Sequence, residues 1–460
     1  MFECAAKVLG PLVLVPLAVF AQPCVAFTDL LGALSAAEQS DPTYRETQDK
    51  ALATAEEIPQ AKAQLWLPDI NFTAGVTRIR QSLSGGPIFG GSNTPSYTGK
   101  EYRINLAQPV YHHDRYVALR QADKRLQQAQ FEVLAARQDL MLRVAERYFN
   151  QLATHDSLAF AKAETESLKS QLDQAQQRFQ VGLIAITDVQ EAQAGHDRAQ
   201  ASQISAENEV QNANEALREV TANYDLELAP LGESLPLVSP DPLDIEKWTA
   251  TAMQGNLALS AARMAADISH EEIRRQYAGH FPSFDIVGGH SFNQQGGRFG
   301  SNSLEQDDIG IQVTVPIYEG GQVVSRTRAA DHQNNATLER LEQTQRAVHR
   351  ETREAYLGVA TKISSVKALG QAVISSQTAL ESTRAGFEVG TRTAVDVVAA
   401  ERSLYQAKRD FSRARYDYIV ETLRLKKAAG SLQPDDLAAV NSWLTSSASG
   451  PTLSVSAPAP

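Results

Sequence analysis

The stretch FQVGLIAITDVQ, residues 179 to 190, returns later in the chain as FEVGTRTAVDVV, residues 387 to 398. The two copies share Phe, Val-Gly, Asp and Val at matching positions. The same offset, without a gap, separates Glu146 from Glu354 and Ala199 from Ala407. Ordered matches at one spacing indicate a duplicated unit of about 210 residues.

In each copy the Val-Gly pair predicts the end of one helix and a short turn into another. Gly182 and Gly390 suit the left-handed position that follows a helix C-terminus. The next helices are predicted to begin near Thr187 and Asp396, and the spacing of Thr187 and Gln190 is that of a capping box. Each stretch is therefore interpreted as the tip of a helical hairpin. The aspartate in each copy has an ordinary structural explanation, because negative charge stabilises a helix N-terminus.

A very long helix is predicted before each tip. Residues 114 to 180 contain no proline and no glycine. Apolar residues recur there at alternating steps of three and four, which is the seam of a coiled coil: Leu119, Ala122, Leu126, Ala129, Val133, Ala136 and Leu140. At 1.5 Å per residue this helix would be about 100 Å long, which no compact globule can hold. The second copy repeats the pattern at about residues 322 to 386.

Short segments of alternating apolar and polar residues precede each long helix. They predict four strands, at about residues 69–80, 101–110, 283–293 and 308–317. Each has a proline and aromatic residues at its helix-facing end, where aromatics would form a girdle at a membrane interface. The other ends are joined by Gly/Ser/Asn-rich residues 82–100 and 294–308, which are predicted to be solvent-exposed loops.

Two interpretations of these strands remain open from the residues alone. Alternation of this length fits strands of a membrane barrel, and it also fits a small soluble sheet that caps a helical rod. Four strands cannot close a membrane barrel, and lipid does not tolerate an open sheet edge. If the strands cross a membrane, several chains must therefore share one barrel.

The remaining segments set the domain boundaries. Residues 1–26 predict a signal peptide, because Lys7 precedes an apolar run and small residues precede Phe27; an N-terminal membrane anchor is the alternative. Residues 27–228 form the first predicted structural repeat, and 246–430 form the second. Residues 229–245 form a linker rich in proline and acidic residues. Residues 431–460 form a C-terminal segment whose low-complexity tail is predicted to be disordered.

The composition excludes several kinds of chemistry. The chain has 54 acidic against 43 basic residues, which argues against a nucleic-acid partner. Both cysteines, Cys4 and Cys24, lie in the predicted signal peptide, so the mature chain would have no thiol chemistry. There is no P-loop and no G-x-S-x-G motif, and no pair of residues has a convincing metal-ligand setting. We expect no cofactor, no metal and no enzymatic activity.

The two tips resemble those of TolC-type outer-membrane channel proteins. The resemblance rests on RFQVGLIAITDVQEAQAGHDRA and AGFEVGTRTAVDVVAAERSLYQAKRD, and extends over nearly the whole mature chain, including PIYEGGQV. It implies a mainly α fold with a small transmembrane β part, assembled as a homotrimer. Three chains would supply twelve strands to one barrel in the outer-membrane lipid and twelve helical strands to a periplasmic tunnel.

The resemblance also implies a function and partners. The trimer would be an exit duct for efflux or type I protein secretion, opened by docking to an inner-membrane transporter and a periplasmic adaptor. Docking would occur around Val181, Gly182, Val389 and Gly390 at the tips. A passive porin-like channel and a periplasmic coiled-coil scaffold are the alternatives. The same tunnel would suit a secreted protein or a small toxic molecule.

A gate at the tips is part of what the resemblance implies. Arg392 would reach Thr187 and Asp188 as a latch between neighbouring hairpins. Asp396 would ring the narrowest part of the pore, with three copies per trimer. Three carboxylates in a narrow pore favour cations.

The chain departs from the best-known member of this family at two gate positions. Phe387 stands where that member has a tyrosine that hydrogen-bonds the latch aspartate. Ala399 stands where it has a second constriction aspartate, so the pore would carry one acidic ring fewer unless Glu401 points inward. We therefore expect a less cation-selective gate that opens more readily.

Overall fold

The computed structural model describes residues 28–80, 96–223, 227–232, 234–297 and 300–445. The predicted signal peptide and the end of the C-terminal tail, from residue 446, lie outside this part of the chain. The described residues form two similar halves, each with short helices, a strand hairpin, a very long helix and a returning helix.

The first half runs in the order α1 (Leu30–Ser40), α2 (Pro42–Ala55), α3 (Glu57–Trp66), β1 (Asp69–Arg80), β2 (Ser96–Tyr111), α4 (His113–Gln180) and α5 (Ile186–Thr221). The second half runs in the order α6 (Ile245–Gly255), α7 (Leu257–Tyr277), β3 (Ser283–Gly297), β4 (Gly300–Thr314), α8 (Gln322–Glu388) and α9 (Ala394–Ala428). A last helix, α10 (Pro434–Asn441), follows. The continuous α7 of the second half therefore takes the place of α2 and α3 in the first.

The four strands form one antiparallel sheet in the order β1-β2-β3-β4. One line of directly opposed residues across it is Phe72, Ile104, His290 and Asp307. The fold is mainly α with a four-stranded sheet at one end of the helices, as predicted.

The strand boundaries agree with the prediction for β1 and differ for the others. Of the predicted loop at residues 294–308, residues 294–297 belong to the end of β3 and residues 300–308 to the start of β4, so for these residues that prediction was wrong; residues 298–299 lie outside the described residues. Residues 96–100 of the other predicted loop belong to β2, and residues 81–95 lie outside the described residues. The fourth strand ends at Thr314 rather than near residue 317, because its partner strand β3 begins at Ser283, directly opposite Thr314.

The main hydrophobic core lies around the middle of α4, where α1, α9 and α10 pack against it. Its largest fully buried side chains include Tyr148, Phe149, Tyr418 and Leu437. The linker after residue 228 covers this core, because the Tyr148 hydroxyl donates to the Ala229 carbonyl at 3.0 Å. Together these contacts hold the middle of α4, which has 68 residues and a length of about 100 Å.

None of the helices in the described ranges is both long and apolar enough to cross a bilayer.

Candidate functional site at the helix tips

Two tips end the long helices on the side away from the sheet. The first tip, residues 181–185, joins α4 to α5, and the second tip, residues 389–393, joins α8 to α9. Gly182 has φ +79° and Gly390 has φ +80°, as the sequence predicted. In the first tip the Leu183 amide donates to the Arg178 carbonyl at 2.9 Å, which closes a Schellman motif. The second tip repeats this with Thr391 and Gly386 at 2.8 Å.

Replacing Gly390 with alanine should loosen the second tip by about 1 kcal/mol, because a residue with a Cβ pays this cost in the left-handed region. A Cβ at Gly390 would meet no atom of the described residues within 4 Å, so the effect should come from the backbone alone. Faster hydrogen exchange of residues 386–396 would confirm it. Gly390→Asn is the matched control, since asparagine tolerates the left-handed region better than alanine; equal exchange in both variants would contradict the explanation.

The second tip starts α9 with a reciprocal capping box. The Asp396 carboxylate accepts from the Thr393 amide and hydroxyl, each at 2.9 Å, while the Asp396 amide donates to the Thr393 hydroxyl oxygen at 3.3 Å. The bonds from the Thr393 backbone and side chain, with the nearby Arg392 charge, lower the pKa of Asp396 below its ordinary value. The carboxylate is therefore ionised at neutral pH.

The first tip is capped differently from the prediction. The helix α5 begins at Ile186, with Ala185 in the cap position, so Thr187 does not occupy the capping position that was predicted. Only the carboxylate half of a box forms, where Asp188 accepts from the Ala185 amide at 3.3 Å. The spacing of Thr187 and Gln190 was therefore misleading, because the extended backbone that a cap needs lies two residues earlier.

The predicted latch residues do not meet within one chain. Among the described residues, no hydrogen bond or ion pair joins Arg392 to Thr187 or Asp188. The stem of Arg392 instead lies over Gly386, where a Cβ would come within 2.8 Å of its Cγ. Its side chain is exposed, as is that of Thr187.

Phe387 fastens the second tip to the first long helix. The guanidinium of Arg178, in the last turn of α4, lies 5.0 Å from the centre of the Phe387 ring. The ring also packs beside the buried cluster formed by Val373, Leu380, Val397, Leu404 and Ala407. A cleft of about 370 Å³ opens beside this contact, between the helices of the two halves. The Phe387 ring therefore forms a cation–π contact within its own chain.

Glu401 does not point into a pore, because it is buried between three helices of its own chain. Its side chain is 0% exposed and forms an ion pair with Arg384 of α8. The Ser167 hydroxyl of α4 donates to the same carboxylate oxygen at 3.0 Å. The other oxygen has no hydrogen-bond partner among the described residues. We call these three residues the Glu401 triad.

A second buried ion pair, missed from the sequence, lies further from the tips. Arg409 of α9 donates to Glu164 of α4 at 2.7 Å, and the Glu164 side chain is 8% exposed. Next to it along the same helices, the Tyr416 hydroxyl donates to Asp156 at 2.8 Å, and burial raises the pKa of Tyr416. These contacts join the two repeats through polar side chains above the tips.

Taken together, a four-stranded antiparallel sheet at one end of two long helical hairpins, each closed by a glycine turn at its tip, defines a TolC-like outer-membrane channel subunit. The family model described as "Outer membrane efflux protein" matches residues 33–223 and 248–431, and the chain belongs to that family. The family comprises channel-forming outer-membrane proteins and is not a class of enzymes. The protein is located in the cell outer membrane.

Named relatives agree with this assignment. The chain is 36% identical to the outer membrane protein TolC of Vibrio cholerae serotype O1 over 414 residues, which cover 89% of this chain and 92% of that protein. It is 28% identical to the alkaline protease secretion protein AprF of Pseudomonas aeruginosa, over 73% of this chain and 70% of that one. The fold matches the crystal structure of the Campylobacter jejuni CmeC outer membrane channel with a TM-score of 0.73, at 15% identity over 90% and 89% of the chains.

Proposed function

We propose that three copies of this chain form one exit duct through the outer membrane, with residues 27–228 and 246–430 as its two repeats. The observation that carries the proposal is an exposed apolar face on a sheet whose outer edges, on β1 and β4, have no strand partner in the described chain. On the two edge strands, six large apolar side chains of that face are between 52% and 87% exposed: Ile70, Phe72, Val76, Ile309, Ile311 and Val313. Lipid would cover this face, and neighbouring copies would cover the edges.

The aromatic residues at the helix-facing ends of the strands support this placement in lipid. Trp66 is 57% exposed, Phe281 is 41% exposed and Tyr318 is 85% exposed. Large exposed aromatics at one level of a sheet are typical of the interface girdle of a membrane barrel. The helices would then begin at the inner surface of the outer membrane and extend into the periplasm as a tunnel.

The tips would form the gate of this tunnel. Arg392 is exposed and unattached to the first tip of its own chain, so the proposed latch partners, Thr187 and Asp188, would belong to a neighbouring copy. Asp396 would supply one carboxylate per copy to the constriction. Phe387 has no hydroxyl to add to the latch, which supports a gate that opens more readily.

An inner-membrane transporter and a periplasmic adaptor would dock on the tips and open them. Three apolar side chains stand out from the two tips, Val181 at 71%, Leu183 at 73% and Val389 at 75% exposed. They flank Gly182 and Gly390, so an adaptor could contact both backbone and apolar surface there. Apolar groups in such exposed positions mark an interaction surface.

We expect deletion of the gene to abolish export that depends on a pump partner, and the intact gene to restore it. Secreted-protein yield and drug sensitivity should be assayed in the same strains, because the tunnel suits either cargo. The purified wild-type protein should migrate as a heat-modifiable trimer from the outer-membrane fraction. Export independent of any pump would indicate a passive channel instead, and a monomer in detergent without bilayer conductance would contradict the duct.

A further inference from the structure

The two edge strands carry opposite charges on the apolar face of the sheet. On β1 the outward residues Phe72, Ala74 and Val76 are followed by Arg78 and Arg80. On β4 the outward residues Val313, Ile311 and Ile309 are followed, in the same direction along the sheet, by Asp307 and Glu305. These four charged side chains are exposed. Along both edge strands, the outward residues therefore change from apolar to charged with distance from the helices. The charged residues are basic on β1 and acidic on β4.

The boundary between apolar and charged residues slopes across the sheet. On β1 this boundary lies just beyond Val76. Val76 lies opposite Lys100 of β2, Lys100 lies opposite Gln294 of β3, and Gln294 lies opposite Ser303 of β4, so Val76 and Ser303 lie on one line across the sheet. On β4 the boundary lies just beyond Ile309, six residues further toward the helices than Ser303. Six residues correspond to about 20 Å of stagger, and the three strand spacings between β1 and β4 correspond to about 14 Å of width, so the boundary slopes steeply across the sheet, as tilted barrel strands require.

We propose that β4 of one copy pairs antiparallel with β1 of a second copy, with Asp307 opposite Arg78 and Glu305 opposite Arg80. This inference rests on the proposed shared barrel and specifies how its seams are joined. In this register Ile309 lies opposite Val76, and the apolar bands of the two copies are continuous. A shift of two residues in either direction would place Asp307 opposite Val76, or Arg78 opposite Ile309.

The Asp307 carboxylate is accessible to a basic side chain from a second copy. Within its own chain it binds His290 of β3, with 2.7 Å between Nδ1 and the carboxylate, yet its side chain remains 82% exposed. Glu305 is 67% exposed and lies 3.7 Å from the same histidine. Arg78 of a second copy would complete a charged row from β3 across β4 to β1. Opposite charges directly across two strands favour pairing on the order of twofold to fivefold per pair.

The register can be tested with cysteine pairs in the full-length protein. Oxidation of Arg78→Cys/Asp307→Cys should link copies covalently, giving a dimer and trimer ladder on non-reducing gels. The pairs Val76→Cys/Asp307→Cys and Arg78→Cys/Ile309→Cys represent the two shifted registers and should link poorly. Each single variant controls for linkage through Cys4 or Cys24.

The outcomes separate this inference from the proposed function. If only a shifted pair gives the ladder, the proposed register is wrong. The register is also wrong if none of the three pairs links copies in protein that remains trimeric. Neither result would contradict the shared barrel. A wild-type protein that is monomeric in detergent would overturn both. Charge reversal gives a second measurement: Arg78→Asp should lower the temperature at which the trimer dissociates, and Arg78→Asp/Asp307→Arg should recover it.

The matched control for charge reversal is Lys100→Asp. Lys100 lies on the same face as Arg78, but on β2, which already has strand partners on both sides. Its reversal should leave the dissociation temperature close to that of the wild type. An equal decrease for Lys100→Asp and Arg78→Asp, without recovery in the double variant, would contradict pairing across the seam.

Discussion

Replacing Arg384 with methionine should destabilise the packing of α8 and α9 around Glu401 by about 3 kcal/mol, because it leaves the Glu401 carboxylate buried without its cation. Glu401 is 0% exposed, whereas Arg384 is 51% exposed, which places the expected loss at the low end for a broken buried pair. Hydrogen exchange of α8 and α9 near these residues should accelerate about a hundredfold. If the proposed gate exists, bilayer recordings should also show more frequent opening.

Three control variants show whether the buried charge causes this effect. Arg384→Met/Glu401→Met removes both charges and should recover most of the stability, since apolar pairs often replace buried ion pairs without loss. Glu401→Gln keeps an acceptor for the Ser167 hydroxyl and should have a smaller effect than Arg384→Met. Arg346→Met breaks an exposed pair with Glu342 at 2.8 Å and should change little. Equal effects of Arg346→Met and Arg384→Met would contradict the explanation.

The Glu401 triad connects the two repeats of the chain, so it resists movement of one repeat relative to the other. Ser167 belongs to the first long helix, whereas Arg384 and Glu401 belong to the second hairpin. In the proposed gate, the second hairpin moves outward relative to α4, so opening must break the bond to Ser167. The pair of Arg409 and Glu164 would be strained by the same movement. The energy needed to open therefore depends on buried polar contacts as well as on the latch at the tips.

The fold could be predicted from the sequence because its main signals are local. Two glycines that need a positive φ set the tips, and the absence of helix breakers between residues 114 and 180 set the long helix. Alternation between Ile70 and Val76 identified β1. The ends of β3 and β4 were missed because, beyond the apolar band, neither face is apolar and alternation carries no signal.

The candidate site could be predicted only in part. The turn glycines Gly182 and Gly390 and the cap residue Asp396 could be predicted because the residues that form a turn or a helix cap lie within a few positions of one another. The burial of Glu401 could not be found, because Ser167 is 234 positions away in the sequence and the contact depends on how α4 and α9 cross. Arg409 and Glu164, 245 positions apart, were missed for the same reason. The spacing of residues along the sequence does not identify partners that meet only because two helices pack together.

Asp396 caps α9 and is also the proposed source of negative charge in the pore. The effects of these two roles can be separated with a control variant. Thr393→Ala removes the capping hydroxyl and should cost about 1 kcal/mol at the start of α9, while the Asp396 carboxylate is kept. Loss of the hydroxyl bond should raise the pKa of Asp396 toward its ordinary value of 3.8, which still leaves it ionised at neutral pH. Thr393→Ala is therefore a control that weakens the cap without changing the charge.

Asp396→Asn should reduce the cation preference of the channel on the order of tenfold, because it removes three converging carboxylates from the constriction. The amide oxygen can still accept from the Thr393 amide, so part of the cap remains. The reduction should be nearly complete, since Ala399 carries no charge and Glu401 is buried away from the pore. Planar-bilayer recordings of ion selectivity and of block by multivalent cations should therefore change in Asp396→Asn and stay unchanged in Thr393→Ala. The same behaviour in both variants would mean that Asp396 serves only as a helix cap.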